Sequence, residues 1–192
     1  MRKSIALFGT SADPPTIGHK KILEELSKIY AFTISYVSDN PKKTHTEDIS
    51  IRSLLLKTLI EDLDNPKILF NQRVSSQWAV ESIKKCKQIY EFNNLDFVIG
   101  SDLIKDIFYW KKFDKIILEV SFFIIKREGY PVEPNTLKML KNCNVKFKIS
   151  NIKIPETSSS NFRLNFNCNH LPTSLIDIVK NNNLYESTKL VE

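Results

Sequence analysis

Residue types suited to binding phosphate lie near the start of the chain, in the segment Gly9–His19, Gly-Thr-Ser-Ala-Asp-Pro-Pro-Thr-Ile-Gly-His. Gly9 allows the backbone to approach a ligand closely, and the two prolines stiffen the turn that follows. Thr16 and His19 lie three residues apart at a predicted helix start, so they share a face, and Gly18 leaves room for a phosphate. Backbone N–H groups, the helix dipole and the His19 ring nitrogens can donate to phosphoryl oxygens here. The alternative is an ordinary strand–turn–helix with Thr16 as N-cap.

A second candidate phosphate-binding element is the segment Thr157–Arg163, Thr-Ser-Ser-Ser-Asn-Phe-Arg. Ser159 and Arg163 are four residues apart, which places them on one face of a predicted helix. A serine-rich helix start donates backbone and hydroxyl hydrogen bonds, and the Arg163 guanidinium is a forked cation for phosphate oxygens. Taken alone, the same residues favour a serine-capped helix with a surface arginine.

The elements that position these residues follow from hydrophobic periodicity. Apolar, β-branched runs predict strands, and 3.6-residue patterns between them predict helices, two of which are Ala79–Tyr90 and Pro172–Leu184. This alternation predicts a Rossmann-like α/β fold, a parallel sheet with helices on both faces, formed by a single domain of residues 1–192. The predicted strands are Ser4–Phe8, Phe32–Val37, Ile68–Phe70, Leu95–Ile99, Val120–Ile125 and Val145–Ile149.

Two of the four glycines of the chain follow predicted strands, Gly9 after the first and Gly100 after the fourth. Ligands of parallel sheets bind outside the carboxyl ends of the strands, so Gly100 is expected beside Gly9 at the ligand site. Asp102, two residues further on, could simply cap the helix that follows. The polar segment Ser38–Ser50 is predicted to be a long loop that is functional or mobile.

Composition narrows the class of protein further. Lys+Arg exceed Asp+Glu by 28 − 22 = +6, a balance that fits nucleotides, nucleic acid or solubility alone, and the lysines are spread along the chain. The cysteines Cys86, Cys143 and Cys168 lack metal-site spacing and are expected to be reduced thiols. No run has the length of a membrane span or the pattern of a signal peptide. We therefore expect a cytoplasmic protein without nucleic-acid or membrane partners, and the oligomeric state stays open.

The two phosphate elements together resemble a known superfamily. Gly9–His19 resembles the G-x-F-D-P-x-H/T-x-G-H signature of the adenylyl- and cytidylyltransferases, with Ala12 in place of the usual phenylalanine. The second element is similar to the superfamily motif I-S-S-T-x-I-R, with Ser160 in place of threonine. The resemblance implies that ATP is bound by the first segment and that the second holds its β and γ phosphates. The implied ATP-binding residues are Gly9, Thr10, Ser11, Gly18, Gly100, Asp102, Ser159 and Ser160.

Further stretches resemble one family, the bacterial nicotinate-nucleotide adenylyltransferases, in that family's order from Ile5 to Tyr185. In the first half of the chain, Asn40-Pro41-Lys42-Lys43 resembles the family's P-H-K loop, Arg52 and the following leucines resemble R-x-x-M-L, and Trp78–Ile83 resembles Y-T-x-D-T-L. In the second half, Gly100–Leu103 followed by Trp110 resembles G-x-D-x-L with a downstream tryptophan, and Arg127–Pro131 resembles R-P-G-Y-P. Leu171-Pro172 and Asn183–Tyr185 together resemble the family's closing helix. Ala79 departs from the pattern, because the family has a threonine there, near the pyridine carboxylate.

The resemblance implies Mg²⁺-dependent adenylyl transfer from ATP to nicotinate mononucleotide. His19 and Thr16 would act at the α-phosphate, Lys43 and Arg163 would clamp phosphates, and Mg²⁺ would neutralise the triphosphate without a metal site made by the protein. Asp102 would hold a ribose hydroxyl, whereas Trp78, Ala79 and Trp110 would bind the acceptor, with Trp110 stacked on the pyridine ring.

Two alternatives remain at this point. The same chemistry could use another acceptor such as phosphopantetheine, which Thr16 fits but the length of the chain and the Arg127–Pro131 stretch do not. A non-enzymatic basic module that binds nucleotide or nucleic acid would show salt-sensitive polynucleotide binding and release no pyrophosphate. His45 and His170 lie outside every motif and are expected at the surface.

Overall fold

A parallel six-stranded sheet forms the centre of the protein, whose computed structural model describes residues 4–41 and 43–186. Strands β1–β6 span, in chain order, Ser4–Thr10, Phe32–Val37, Ile68–Phe70, Asn94–Gly100, Ser121–Ile125 and Phe147–Ile149. Helices α1–α7 span Ile17–Ile29, Ile49–Asp62, Ala79–Ile89, Phe113–Glu119, Pro134–Asn142, Ser159–Asn165 and Thr173–Asn181. Short 3₁₀ helices lie at Gln72–Val74, Ser101–Leu103, Ile107–Tyr109 and Cys168–His170.

The strand order is β3-β2-β1-β4-β5-β6, so the direction in which the sheet grows reverses between β1 and β4. All pairings are parallel, with Leu7 opposite both Ile34 and Phe97 at the centre of the sheet. This reversal is the point at which open α/β sheets bind ligands, because the connections leave the two neighbouring strands on opposite faces. The Rossmann-like class predicted from the sequence is confirmed.

Apolar side chains bury the two faces of the sheet under separate layers of helices. On one face the core includes Leu23 of α1, Leu55 of α2, Phe162 of α6 and Leu175 of α7. The opposite core includes side chains from α3, α4 and α5, represented by Ile83, Ile116 and Leu140. Since both faces are covered, the central strands are mostly apolar. The polar exceptions Thr33, Ser35 and Asp96 are buried, and the Asp96 carboxylate accepts a hydrogen bond from the Tyr30 hydroxyl at 2.6 Å.

The observed bounds differ from the predicted ones mainly at the edges of elements. The strands β1 and β4 run on to Thr10 and Gly100, and β6 begins at Phe147 rather than Val145, although Val145 is buried. The helices α4 and α5 have no counterpart among the predicted elements. No helix of the described residues is long and apolar enough to cross a membrane.

Candidate active site

A cleft of about 610 Å³ opens at the carboxyl ends of β1 and β4, where the strand order reverses. It brings together every site residue that the sequence predicts, although the motifs lie far apart in the chain. Those lining residues are Gly9, Thr10, Ser11, Thr16, Gly18, His19, Lys43, Trp78, Ala79, Gly100, Asp102, Trp110, Ser159, Ser160 and Arg163. Their individual roles stay predictions. Lys42, the counterpart of the family's loop histidine, lies outside the described residues.

His19 is held at the first turn of α1 by a reciprocal cap. The backbone N–H of Thr16 donates to Nδ1 of His19 at 3.0 Å, and the Thr16 hydroxyl lies 3.0 Å from the same nitrogen. An accepting Nδ1 carries no hydrogen, so the proton of the neutral ring is on Nε2. Nε2 then donates to the Thr10 hydroxyl at 2.8 Å. The turn thus presents an N–H donor at the cleft wall.

The imidazole ring of His19 is expected to be neutral in the ligand-free protein from about pH 5 to pH 8. Burial, and secondarily the Arg127 cation, lowers the pKa of His19 from 6.5 to about 4. The unfolded chain protonates at the higher pKa, so the stability contributed by the neutral ring is present above pH 6.5 and declines as the pH falls towards 4. Nitrogen NMR of the His19 ring should show a protonated Nε2 and an unprotonated Nδ1 over this pH range. A titration of His19 centred near 6.5 would contradict the lowered pKa.

Asp13 is buried in the segment Gly9–His19 and connects it to two other parts of the chain. It was not among the predicted site residues. Its carboxylate accepts hydrogen bonds from the backbone N–H groups of Thr46 at 2.8 Å and Glu47 at 3.2 Å. Arg163 donates to the Asp13 carbonyl at 2.5 Å and lies 3.6 Å from the carboxylate. Ser159 donates its hydroxyl to the Pro14 carbonyl at 2.8 Å. The second phosphate element is therefore fastened to the first.

His45 is placed in the cleft wall, so the expectation that it lies on the surface is wrong. Its side chain is only 13% exposed, and its Nδ1 is 3.8 Å from the Asp13 carboxylate. Burial and the nearby Arg52 cation lower the pKa of His45. The polar segment around it folds inwards because Arg52, itself buried, donates to the carbonyls of Ser11 and Glu47 at 2.8 and 2.9 Å.

The glycines of the cleft are confined by neighbouring side chains. A Cβ on Gly9 would lie 2.6 Å from the ring of Tyr36, and one on Gly100 would collide with the Asp102 carboxylate. Gly18 lines the cleft as predicted, but a Cβ there would come within 3.0 Å of the Thr157 hydroxyl. The space beside Gly18 is thus bounded by the segment that leads into α6, which narrows the room for a phosphate.

Asp102 and Arg127 form an ion pair on the cleft wall, with 2.8 Å between the guanidinium and the carboxylate. The sequence motif Arg127–Pro131 contains this cation, but the sequence predicts no site role for it. Asp102 and Trp110 are joined by two short 3₁₀ turns. The second carboxylate oxygen of Asp102 is buried beside Gly100 without a hydrogen-bond partner.

The far end of the cleft is aromatic. Trp110 packs edge to face against Phe97 and Phe122, with ring centroids 5.9 and 6.2 Å apart, while the rest of the ring lines the cleft. Trp78 stands at the N-cap of α3, immediately before Ala79, and the Lys111 ammonium lies 4.8 Å from the centre of its ring. The Trp110 ring therefore packs into the core with one edge and is available to stack against a ligand in the cleft with the rest of its surface.

Metal ligands of protein origin are sparse in the cleft. Within residues 4–41 and 43–186, no group of three or more His, Cys, Asp or Glu side chains is placed to hold a metal ion. Two carboxylates that line the cleft already have partners: Asp13 accepts from backbone N–H groups, and Asp102 is paired with Arg127. A divalent cation here would have to be held mainly by ligand phosphates and water, which is the usual preference of Mg²⁺.

Comparison with known proteins agrees with this class of site. The model of the cytidylyltransferase-like family matches residues 7–176. A relative from Synechocystis sp., named "Probable nicotinate-nucleotide adenylyltransferase", is 28% identical over 94% of this chain and 98% of its own. A protein of the same name from Nitratiruptor sp. is 32% identical over 71% of this chain and 80% of its own.

A solved structure with a similar fold is the nicotinic acid mononucleotide adenylyltransferase of Plasmodium falciparum complexed with NaAD. The TM-score is 0.78 at 25% identity, and the match covers 96% of this chain and 98% of the other. The chain belongs to the cytidylyltransferase-like nucleotidyltransferases. Within them it belongs to the nicotinate-nucleotide adenylyltransferase family.

Proposed function

We propose that this protein transfers the adenylyl group of ATP to the 5′-phosphate of nicotinate mononucleotide, giving nicotinate adenine dinucleotide and pyrophosphate for NAD synthesis. The observation that carries the proposal is the single cleft at the β1–β4 reversal, which joins the His19 and Arg163 phosphate elements to the aromatic end at Trp110. The relatives from Synechocystis sp. and Nitratiruptor sp., which align with 94% and 71% of this chain, carry the name of that activity.

The reaction needs positioning and charge stabilisation rather than a protein nucleophile. The acceptor phosphate is already anionic at neutral pH, so it can attack the α-phosphorus without a general base. Nε2–H of His19, released from Thr10, would donate to an α-phosphate oxygen as charge develops there. Arg163, held by Asp13, and Lys43 would balance the departing pyrophosphate. Asp102, which lines the cleft, would accept a hydrogen bond from a ribose hydroxyl.

Mg²⁺ would accompany ATP as a complex with the triphosphate and would supply charge neutralisation. The chain's own cations act on the same phosphates from the cleft wall. Thr10, Ser11 and the start of α1 would contact the triphosphate through backbone and hydroxyl donors.

Arg163→Ala should weaken ATP binding more than mononucleotide binding. Loss of one charge-assisted phosphate contact costs roughly 1.5–3 kcal/mol, so the KM for ATP should rise at least about tenfold. Arg73→Ala, an exposed arginine outside the cleft, is the matched control and should leave both KM values unchanged. Equal losses for ATP and the mononucleotide would remove Arg163 from the triphosphate site.

The choice of acceptor is tested by incubating the protein with ATP, Mg²⁺ and a panel containing nicotinate mononucleotide, nicotinamide mononucleotide and phosphopantetheine. Mass spectrometry should identify nicotinate adenine dinucleotide as the principal product, formed with an equal amount of pyrophosphate. Dephospho-coenzyme A as the principal product would identify phosphopantetheine as the acceptor. The absence of pyrophosphate from every reaction would refute the proposed function.

A further inference from the structure

We propose that Lys111 is a specificity-determining residue, which selects the acid form of the pyridine mononucleotide over its amide form. The inference rests on the proposed function and deepens it. The starting observation is the Lys111 ammonium placed over the Trp78 ring, 4.8 Å from its centre, at the aromatic end of the cleft. A cation so placed keeps a defined position without being neutralised, because the partner is an aromatic face and not a carboxylate.

The charges around Lys111 leave it available to a ligand. None of the ion pairs found among the described residues includes Lys111, whereas Arg127 is already paired with Asp102. Asp106 also lines the cleft, and none of those ion pairs includes it. The positive charge of Lys111 is therefore the feature of this region that an anionic substituent would meet.

The start of α3 adds a second donor set beside the same residue. Trp78 is the N-cap and provides no side-chain cap, so the first turn is open. In the described part of the chain, the backbone N–H groups of Ala79 and Val80 have no hydrogen-bond acceptor, while those of Glu81 and Ser82 donate to the Trp78 carbonyl. Ala79 carries no hydroxyl, so a carboxylate at this helix end would gain its side-chain contact from Lys111.

The chemistry of the two ring forms turns this arrangement into a discriminator. Both mononucleotides carry a cationic pyridinium ring, but the acid adds a carboxylate and the amide adds a neutral group. Beside Lys111 the acid gains a contact between opposite charges that offsets repulsion of the ring, whereas the amide offers only a neutral carbonyl acceptor. The charge of Lys111 therefore favours the acid over the amide.

The test compares kcat/KM for the two mononucleotides at saturating ATP in a charge series, Lys111→Arg, Lys111→Gln and Lys111→Glu. Relative to the native protein, the acid-to-amide ratio should be nearly kept by Arg, fall about tenfold with Gln and fall further with Glu. The change should lie in the acceptor KM, with the KM for ATP unaltered. Lys115→Gln, an exposed lysine outside the cleft, is the matched control and should keep the native ratio.

The outcomes separate the role of Lys111 from the proposed reaction. An unchanged ratio in Lys111→Gln, an equal loss for both mononucleotides, or a ratio that falls equally in Lys115→Gln would overturn the role of Lys111 while leaving the reaction itself in place. Failure of the native protein to form a dinucleotide from either mononucleotide would overturn the proposed function and this inference together.

Discussion

His19→Ala should reduce adenylyl transfer about a hundredfold or more while leaving the fold intact. The side chain presents one preorganised N–H donor to the place where charge develops, and removing such a donor typically costs ~10²–10³ in kcat. Loss of the cap on Thr16 should lower the free energy of unfolding by only about 1 kcal/mol. Single-turnover kinetics, with circular dichroism on the same sample, separate the two effects.

Two further variants define what His19 contributes. His19→Gln places an amide N–H near the position of Nε2, so it should retain more activity than His19→Ala. His170→Ala removes a histidine outside the cleft and should turn over normally. Near-native turnover by a folded His19→Ala variant would show that the donor at Nε2 is not used in the reaction.

Trp110→Ala should lower both stability and acceptor affinity, because the ring has a packed edge and a cleft-facing surface. Truncation removes contacts with Phe97 and Phe122 and should cost about 3 kcal/mol, the lower end of the range for buried aromatics, since the ring is part-exposed. Tm should fall by roughly 6–12 °C. Loss of stacking should raise the mononucleotide KM about tenfold and spare ATP.

Phe147→Ala serves as a control for destabilisation alone, because its ring packs against the same core but does not line the cleft. It should lower Tm without altering the acceptor KM in the folded fraction. Should Trp110→Ala behave in the same way as Phe147→Ala, Trp110 would be a core residue only, and the acceptor site would have to be assigned to Trp78 and its neighbours.

Much of the fold and cleft could be predicted because the signals are local. The phosphate motif, with Gly9, the two prolines and the Thr16–His19 spacing, lies within eleven residues. The central strands are rich enough in apolar residues to be recognised from the sequence. Parallel strands align their carboxyl ends, so a correct reading of β1 and β4 is sufficient to place Gly9 near Gly100.

The remainder depends on contacts between distant parts of the chain. Asp13 meets Arg163 across 150 residues, a pairing that no local spacing encodes. His45 is drawn inwards by the Asp13 and Arg52 network, although its own neighbours are polar. The cation over Trp78 comes from Lys111, on a different connection, so neither motif indicates it.

The central claim, adenylyl transfer to nicotinate mononucleotide, is tested most directly by following each phosphorus of ATP. The protein is incubated with nicotinate mononucleotide and ATP labelled either at the α or at the γ phosphate. We expect the α label in nicotinate adenine dinucleotide and the γ label in pyrophosphate, in equal amounts. Appearance of the γ label in a phosphorylated mononucleotide, or retention of both labels in ATP, would contradict the account.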